Sequence, residues 1–102
     1  MEKTIADRTV TVNEEGFMTD AAQWCKEIGE ALALEEGICM VDRHWVVVEY
    51  LRDQDAQGVP MSIRKIKNSG VVDIKEIYQL FPKGPLKVAS KVAGLKKPAS
   101  CL

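Results

Sequence analysis

Breaks at glycine and proline divide this chain into short segments, and they constrain its fold more than any other feature of the sequence. Glycine adopts backbone conformations that end helices and form turns, and proline removes a backbone donor. Between the breaks, apolar residues recur mainly at the three- and four-residue spacing of an amphipathic helix. The sequence therefore predicts a mainly α fold of the α+β type, with a compact bundle of about five helices. The breaks fall at Gly16, Gly37, Gly58-Val59-Pro60, Asn68-Ser69-Gly70, Pro82-Lys83-Gly84-Pro85 and Gly94.

Capping residues add to the evidence for the helix boundaries. Asp73 can cap the fourth helix, because its side chain accepts hydrogen bonds from the first backbone N–H groups. Pro85 suits the first position of the last helix, where no backbone donor is needed. The predicted helices cover residues 21–36, 42–57, 62–67, 74–81 and 85–93.

The two ends of the chain are predicted to differ from the helical body. Near the N-terminus, β-favouring residues 9–12 and 17–18 flank a turn, which indicates a short β-hairpin. Residues 95–102 have no apolar periodicity and contain Pro98, so they are predicted to form an extended, flexible C-terminal arm. The predicted organisation is a single domain over residues 1–94, followed by this arm, which carries Cys101.

The charge of the chain is divided unevenly between its two parts. Residues 1–60 hold 13 acidic and 5 basic side chains, whereas residues 61–102 hold 2 acidic and 9 basic ones. The basic part suggests an anionic partner, although lysines that simply coat a solvated surface are the commoner explanation. The apolar runs are too short to span a bilayer, and the N-terminus does not lead into the apolar stretch of a secretory signal. A cytoplasmic protein without a membrane partner is predicted.

Cys101, the next-to-last residue, is the candidate reactive group. The three cysteines include no Cys-x-x-Cys pair, which argues against a disulfide framework or a zinc site. A thiol on a terminal arm is accessible to a partner protein, and Lys96 and Lys97 favour its thiolate form. From composition alone, an incidental terminal cysteine is an equally good explanation. Cys25 and Cys39 are predicted to be packed as small apolar residues.

No other catalytic or metal-binding constellation is evident. His44 is the only histidine, and without a suitably spaced partner it is predicted to be structural. Residues 42–67 can also be read as a helix-turn-helix whose second helix is basic, with Arg64, Lys65 and Lys67. A nucleic-acid-binding regulator is therefore kept as an alternative.

The residues near the C-terminus also form a specific pattern, with shorter pieces in order upstream. The C-terminal pattern comprises Leu80-Phe81-Pro82-Lys83-Gly84-Pro85, Lys87, Ala89, Lys91, Ala93-Gly94-Leu95, Lys97-Pro98 and Cys101. The upstream pieces are Gly16-Phe17, Gln23-Trp24, Glu36-Gly37-Ile38, His44-Trp45, Leu51-Arg52-Asp53 and Ile63-Arg64. From about residue 8 to its end, the chain resembles the DsrC/TusE family of small sulfur-carrier proteins.

The resemblance implies a role for Cys101 and identifies a substitution at Ser90. Family members handle sulfur on the penultimate cysteine, so Cys101 is the expected sulfur acceptor and donor. Partners of dissimilatory sulfite reductase carry a second arm cysteine, at the position that Ser90 occupies here. Because serine forms no disulfide, the chain is similar to the single-cysteine, TusE-like branch. It is expected to act as a sulfurtransferase-type carrier without a cofactor, rather than as a stand-alone enzyme.

The resemblance also implies partners. For a TusE-like protein these are a TusBCD-like sulfur donor and a tRNA 2-thiouridylase-like acceptor, in a relay toward tRNA 2-thiouridine. A DsrC-like role as gamma-subunit partner of dissimilatory sulfite reductase remains the alternative. An electropositive surrounding of the arm is expected to stabilise a thiolate or persulfide and to attract acidic partners. The residues that would form it are Arg64, Lys83, Lys87, Lys91, Lys96 and Lys97.

Overall fold

The computed structural model describes residues 1–97 and contains an antiparallel two-stranded sheet and five α-helices. The strands are β1 (Glu2–Ile5) and β2 (Arg8–Thr11), and the helices are α1 (Lys26–Glu35), α2 (Asp42–Ala56), α3 (Ile63–Ser69), α4 (Ile74–Leu80) and α5 (Pro85–Val92). One turn of 3-10 helix, Ala21–Gln23, precedes α1. The prediction of a mainly α fold with an N-terminal hairpin is confirmed. Over the described part of the chain, every helix is too short or too polar to cross a membrane.

The hairpin is built from a different pair of segments than the sequence predicts. β2 pairs with β1 rather than with residues 17–18. Ala6 and Asp7 form the connecting turn with φ angles of 51° and 63°, the left-handed backbone that a two-residue hairpin turn requires. The predicted partner segment contributes one isolated bridge, Val12 opposite Met18. The β1–β2 ladder was not predicted because its turn contains neither glycine nor asparagine, the usual sequence signals.

The first predicted helix, residues 21–36, is interrupted at Trp24. The Trp24 backbone is extended, with φ −75° and ψ 146°. Its indole Nε1 donates to the carbonyl oxygen of Val92, 2.9 Å away and 68 residues later. A contact with a distant part of the chain thus outweighs the local helical periodicity, and α1 begins only at Lys26. The predicted stop is confirmed, since Gly37 follows the helix with a φ of 77°.

The capping residues define the later helices largely as predicted. Asp73 accepts a hydrogen bond from the backbone N–H three residues later and so caps α4. Ser62 does the same for α3, which therefore begins at Ile63 rather than at Ser62. The helix ends at Ser69, two residues beyond the predicted end, and Gly70 follows with a φ of 76°. Pro85 occupies the first turn of α5.

His44 has the structural role predicted for it. The ring is buried, and its Nδ1 accepts from the backbone N–H of Val41 at 3.0 Å. This contact places the proton of the neutral ring on Nε2, which donates to the carbonyl oxygen of Leu80 at 2.9 Å. The ring also meets Phe81 edge-on, with 5.2 Å between centroids. His44 thereby ties the start of α2 to the end of α4.

Helix α5 lies at the centre of the helical body. It packs against α1, α2 and α4, and Leu86, Ala89 and Val92 are fully buried along it. Because three helices hold it, α5 is a rigid support for the residues that follow it.

Candidate functional site around helix α5

Two side chains from elsewhere in the fold hold the C-terminal end of α5. Trp24 Nε1 donates to the Val92 carbonyl oxygen, and Arg52 Nη1 donates to the Ala93 carbonyl oxygen at 2.8 Å. The Arg52 guanidinium also lies over the Trp24 ring, 4.3 Å from its centroid. Gly94 follows with a φ of 72°. These contacts satisfy carbonyl groups that a helix end leaves without partners, and they fix the point from which the chain continues.

Arg52 keeps its charge in this position. Burial lowers the pKa of its guanidinium, and the charge of Asp55 opposes this change. Arginine is the most basic side chain in proteins, so the guanidinium is still cationic at neutral pH. The charge strengthens its hydrogen bonds to the carbonyl oxygens of Ala93 and Ala21.

Ser90 lines a cleft of about 460 Å³ between α5 and the loop that follows α2. The serine is only 4% exposed. Leu95 is also buried, and its backbone N–H donates to the carbonyl oxygen of Ser90 at 3.0 Å. The lining residues of this Ser90 cleft are Leu51, Asp55, Gly58, Val59, Pro60, Met61, Ser90, Leu95, Lys96 and Lys97. The last described residues, Lys96 and Lys97, thus lie at the cleft.

Cys101 lies outside the described residues, and its position stays a prediction. It follows Lys97, the last described residue, by four residues in the sequence. The arm boundary at residue 95 also stays a prediction.

Three of the predicted basic residues meet in a second cleft, of about 310 Å³, which we call the lysine cleft. Its lining residues are Glu15, Phe17, Glu36, Lys83, Lys87, Val88 and Lys91. Lys91 Nζ donates to Glu36 Oε1 at 3.1 Å and lies 5.9 Å from the centroid of the Phe17 ring. The cleft therefore combines ammonium groups, two carboxylates and an apolar floor.

Glu15 connects the two clefts. Its carboxylate lines the lysine cleft and accepts from Nζ of Lys97, a residue of the Ser90 cleft, at 3.0 and 3.3 Å. This hydrogen bond is the largest cause of the lowered pKa of Glu15. Burial opposes the change, and the charges of Lys97, Lys87 and Lys91 add to it. The loop before Phe17 is thus attached electrostatically to the segment that leads to Cys101.

Replacing Lys97 with alanine is expected to raise the pKa of the Glu15 carboxyl toward its ordinary value, because the main stabiliser of the carboxylate is lost. A lowered folded-state pKa contributes stability above the unfolded-state pKa, and this contribution disappears as the pH falls through the folded-state value. The variant should therefore lose less stability on acidification than the wild type. Carboxyl-carbon NMR titration measures the shift, and Lys67→Ala on α3 is the matched control. An unchanged Glu15 pKa in the Lys97 variant would show that this ion pair is absent in solution.

The other candidate residues have separate locations. Arg64 is exposed on α3 and lines neither cleft. The prediction that Cys39 is packed is wrong, since it is exposed; its neighbour Ile38 takes the inward position in this connector. Cys25 is half-buried and packs against the core. Within residues 1–97, no group of three His, Cys, Asp or Glu side chains is placed to hold a metal ion.

Sequence reasoning did not assign roles to four residues of this site. Trp24 and Arg52 belonged to the quoted pattern, but nothing in it indicates that they hold the end of α5. Glu36 also belonged to the pattern and Glu15 did not, but neither position indicates a lysine partner, since each glutamate meets its lysine only in the folded chain. The carboxylates of Glu15 and Glu36 reduce the positive charge that the lysines alone would create.

The matching family model is described as "DsrC like protein", and it covers residues 4–102 of this chain. Among curated proteins, the chain is similar to Sulfurtransferase TusE of Pectobacterium atrosepticum, with 35% identity over 104 residues. That alignment covers 93% of this chain and 94% of the relative.

Solved structures share the whole fold. One is the crystal structure of the oxidized gamma-subunit of the dissimilatory sulfite reductase (DsrC) from Archaeoglobus fulgidus, with a TM-score of 0.82 and 33% identity. Another is the NMR structure of Allochromatium vinosum DsrC, with a TM-score of 0.84 and 27% identity. Each similarity covers 100% of both chains.

Proposed function

Because this chain belongs to the DsrC-like family, we propose that it is a cytoplasmic sulfur-relay protein that carries a persulfide on Cys101. The observation that carries the proposal is the family match through residue 102, which includes the penultimate cysteine. The similarity to a protein named sulfurtransferase supports the same role. The chain would work as a carrier between partners rather than as a stand-alone enzyme.

The proposed reaction is an exchange of one sulfur–sulfur bond for another. The Cys101 thiolate attacks the outer sulfur of a persulfide on the donor, forming a new S–S bond. The S–S bond of the donor breaks, and its cysteine leaves as a thiolate. Cys101 then holds the persulfide, and attack by an acceptor thiolate on its outer sulfur regenerates the Cys101 thiolate. No external oxidant or reductant is consumed.

Ser90 supports a single-thiol mechanism. A second thiol at this position could form a disulfide with Cys101, whereas a serine hydroxyl cannot. A persulfide on Cys101 therefore has no competing thiol at residue 90 and remains available for transfer. This favours a TusE-like relay, with a TusBCD-like donor and a tRNA 2-thiouridylase-like acceptor.

The basic residues around α5 support the anionic state that this chemistry needs. Thiolates and persulfide anions are stabilised by nearby positive charge. Lys96 and Lys97 lie at the Ser90 cleft, five and four residues before Cys101, respectively. The lysine cleft and Arg64 are the other parts of the electropositive surroundings proposed for the arm.

The intact mass of the full-length chain after incubation with a cysteine desulfurase and free cysteine tests the proposal. We expect the wild type to gain whole sulfur atoms and to lose them on addition of a thiol reductant, because the reductant cleaves the persulfide bond. The Cys101→Ser variant is expected to gain none.

Two matched variants make this test specific. Cys25→Ser and Cys39→Ser each remove a thiol while leaving Cys101 in place, so both should retain the gain in mass. No gain in the wild type with a competent donor would contradict the carrier role. A gain that survives in Cys101→Ser and is lost in Cys39→Ser would move the sulfur to the exposed thiol.

A partner role with dissimilatory sulfite reductase is the second candidate, favoured by the similarity in fold to the Archaeoglobus fulgidus gamma-subunit. Ser90 argues against it, because the sulfite-reductase branch carries a second cysteine at this position. Copurification with a sulfite reductase, together with sulfide release that depends on Cys101, would establish this second role. Sulfur loading without such association would leave the relay role in place.

A further inference from the structure

The lysine cleft carries more positive charge than its own carboxylates neutralise. Each of its two carboxylates forms one ion pair. Glu36 pairs with Lys91 inside the cleft, and Glu15 pairs with Lys97 of the Ser90 cleft. Lys83 and Lys87 are exposed and form no ion pair with any residue of the range 1–97. Two ammonium groups at this cleft are therefore available for an external anion.

We propose that the lysine cleft is the docking surface for an acidic segment of a relay partner protein. That the partner belongs to a sulfur relay rests on the proposed function. The location of the surface and the acidic character of its ligand are inferred from the cleft itself. The acidic segment would place carboxylates on Lys83 and Lys87.

The existing ion pairs show the chemistry that this surface accepts. Glu36 and Glu15 each come from a distant part of the chain and place a carboxylate on a lysine, at 3.1 and 3.0 Å respectively. Lys83 precedes α5 and Lys87 lies in its first turn, and both line the cleft, so one acidic segment in the cleft can meet both ammonium groups.

An acidic protein segment fits the cleft better than a nucleic acid does. The cleft has no arginine among its lining residues, although arginine is the side chain that best matches phosphate geometry. Its aromatic residue, Phe17, is 1% exposed and offers no face for base stacking. Glu15 and Glu36 would repel the closely spaced phosphates of a nucleic acid. An acidic peptide can instead place its carboxylates away from these two glutamates.

Docking here would bring the partner close to the reactive cysteine. Glu15 lies in the lysine cleft and bonds Lys97, and Cys101 follows Lys97 by four residues in the sequence. A partner carboxylate that competes with Glu15 would also loosen the attachment of the segment that leads to Cys101.

The test is titration of the full-length, nitrogen-15-labelled chain with a short poly-L-glutamate peptide, followed by amide NMR shifts. We expect saturable shifts centred on residues 15–17 and 83–91, and affinity that falls as salt is added. Lys83→Glu/Lys87→Glu is expected to weaken binding by about tenfold or more, because two attractions become repulsions. A poly-L-glutamine peptide should cause no shifts.

A charge-matched variant separates docking from general attraction. Lys67→Glu/Lys75→Glu makes the same change in net charge on α3 and α4, away from the cleft, and should bind nearly as well as the wild type. Equal weakening in both variants, or shifts centred elsewhere, would overturn the proposal. If a single-stranded RNA oligomer binds in a lysine-dependent way and poly-L-glutamate does not bind, the ligand of the cleft is a nucleic acid and not an acidic protein segment.

The outcome is independent of the carrier chemistry. Sulfur loading of Cys101 is measured separately, by intact mass of the wild type, with inorganic polysulfide as a small donor that needs no docking. If loading fails in the wild type, the proposed function is wrong, while the peptide titration still decides whether the cleft binds acidic segments.

Discussion

Replacement of Gly94 by alanine is expected to lower the free energy of unfolding by about 3 kcal/mol or more. Gly94 has a φ of 72°, where an L-residue other than glycine costs about 1–2 kcal/mol. An added Cβ would also lie 2.3 Å from Cδ1 of Trp24. The ring would have to move, and its hydrogen bond to Val92 would be strained. Urea unfolding measures the loss, and a fall of roughly 10 °C or more in Tm is expected.

Gly37→Ala is the matched control for this prediction. Gly37 has a φ of 77°, but a Cβ there would meet nothing within 4 Å. The control isolates the cost of the left-handed backbone, about 1–2 kcal/mol. Equal losses in the two variants would show that the packing of Trp24 against Gly94 contributes nothing.

Replacement of Phe81 by alanine is expected to destabilise the fold by about 3–5 kcal/mol, the range for a large buried aromatic side chain. Phe81 is fully buried and contacts the ring of His44, which joins α2 to the carbonyl oxygen of Leu80. The cavity would remove support from both helices. Chemical unfolding, with the midpoint and slope compared to wild type, measures the effect.

Tyr78→Ala is the control, because Tyr78 is an aromatic residue of α4 that is 44% exposed. Its loss is expected to cost less than about 1 kcal/mol. A small effect of Phe81→Ala, similar to that of the Tyr78 variant, would contradict the central place of Phe81 in the core.

These two sites show that much of the C-terminal pattern serves the fold. Leu80 accepts from His44, Phe81 fills the core, and Pro85 begins α5. Gly94 permits the close approach of Trp24. The pattern that resembles a sulfur-carrier family thus includes the residues that position α5, beside those that take part in the proposed chemistry.

The sequence by itself determined the features that depend on neighbouring residues. The cap at Asp73, the helix start at Pro85 and the helix stop at Gly37 each act within about one helical turn, so their outcomes are visible in the sequence. The family, and with it the candidate thiol of Cys101, was likewise recognisable from residues in order along the chain.

Only the tertiary structure decided the features that join distant residues. Trp24 leaves its predicted helix because its indole N–H finds the Val92 carbonyl oxygen, 68 residues later. Lys97 meets Glu15 across 82 residues, and Ser90 is enclosed by the loop after α2. The local spacing of residues in the sequence carries no information about these tertiary contacts, because each contact depends on how the helices pack. The number of lysines can be read from the sequence. Packing decides which of them form ion pairs, and it leaves Lys83 and Lys87 without one among residues 1–97.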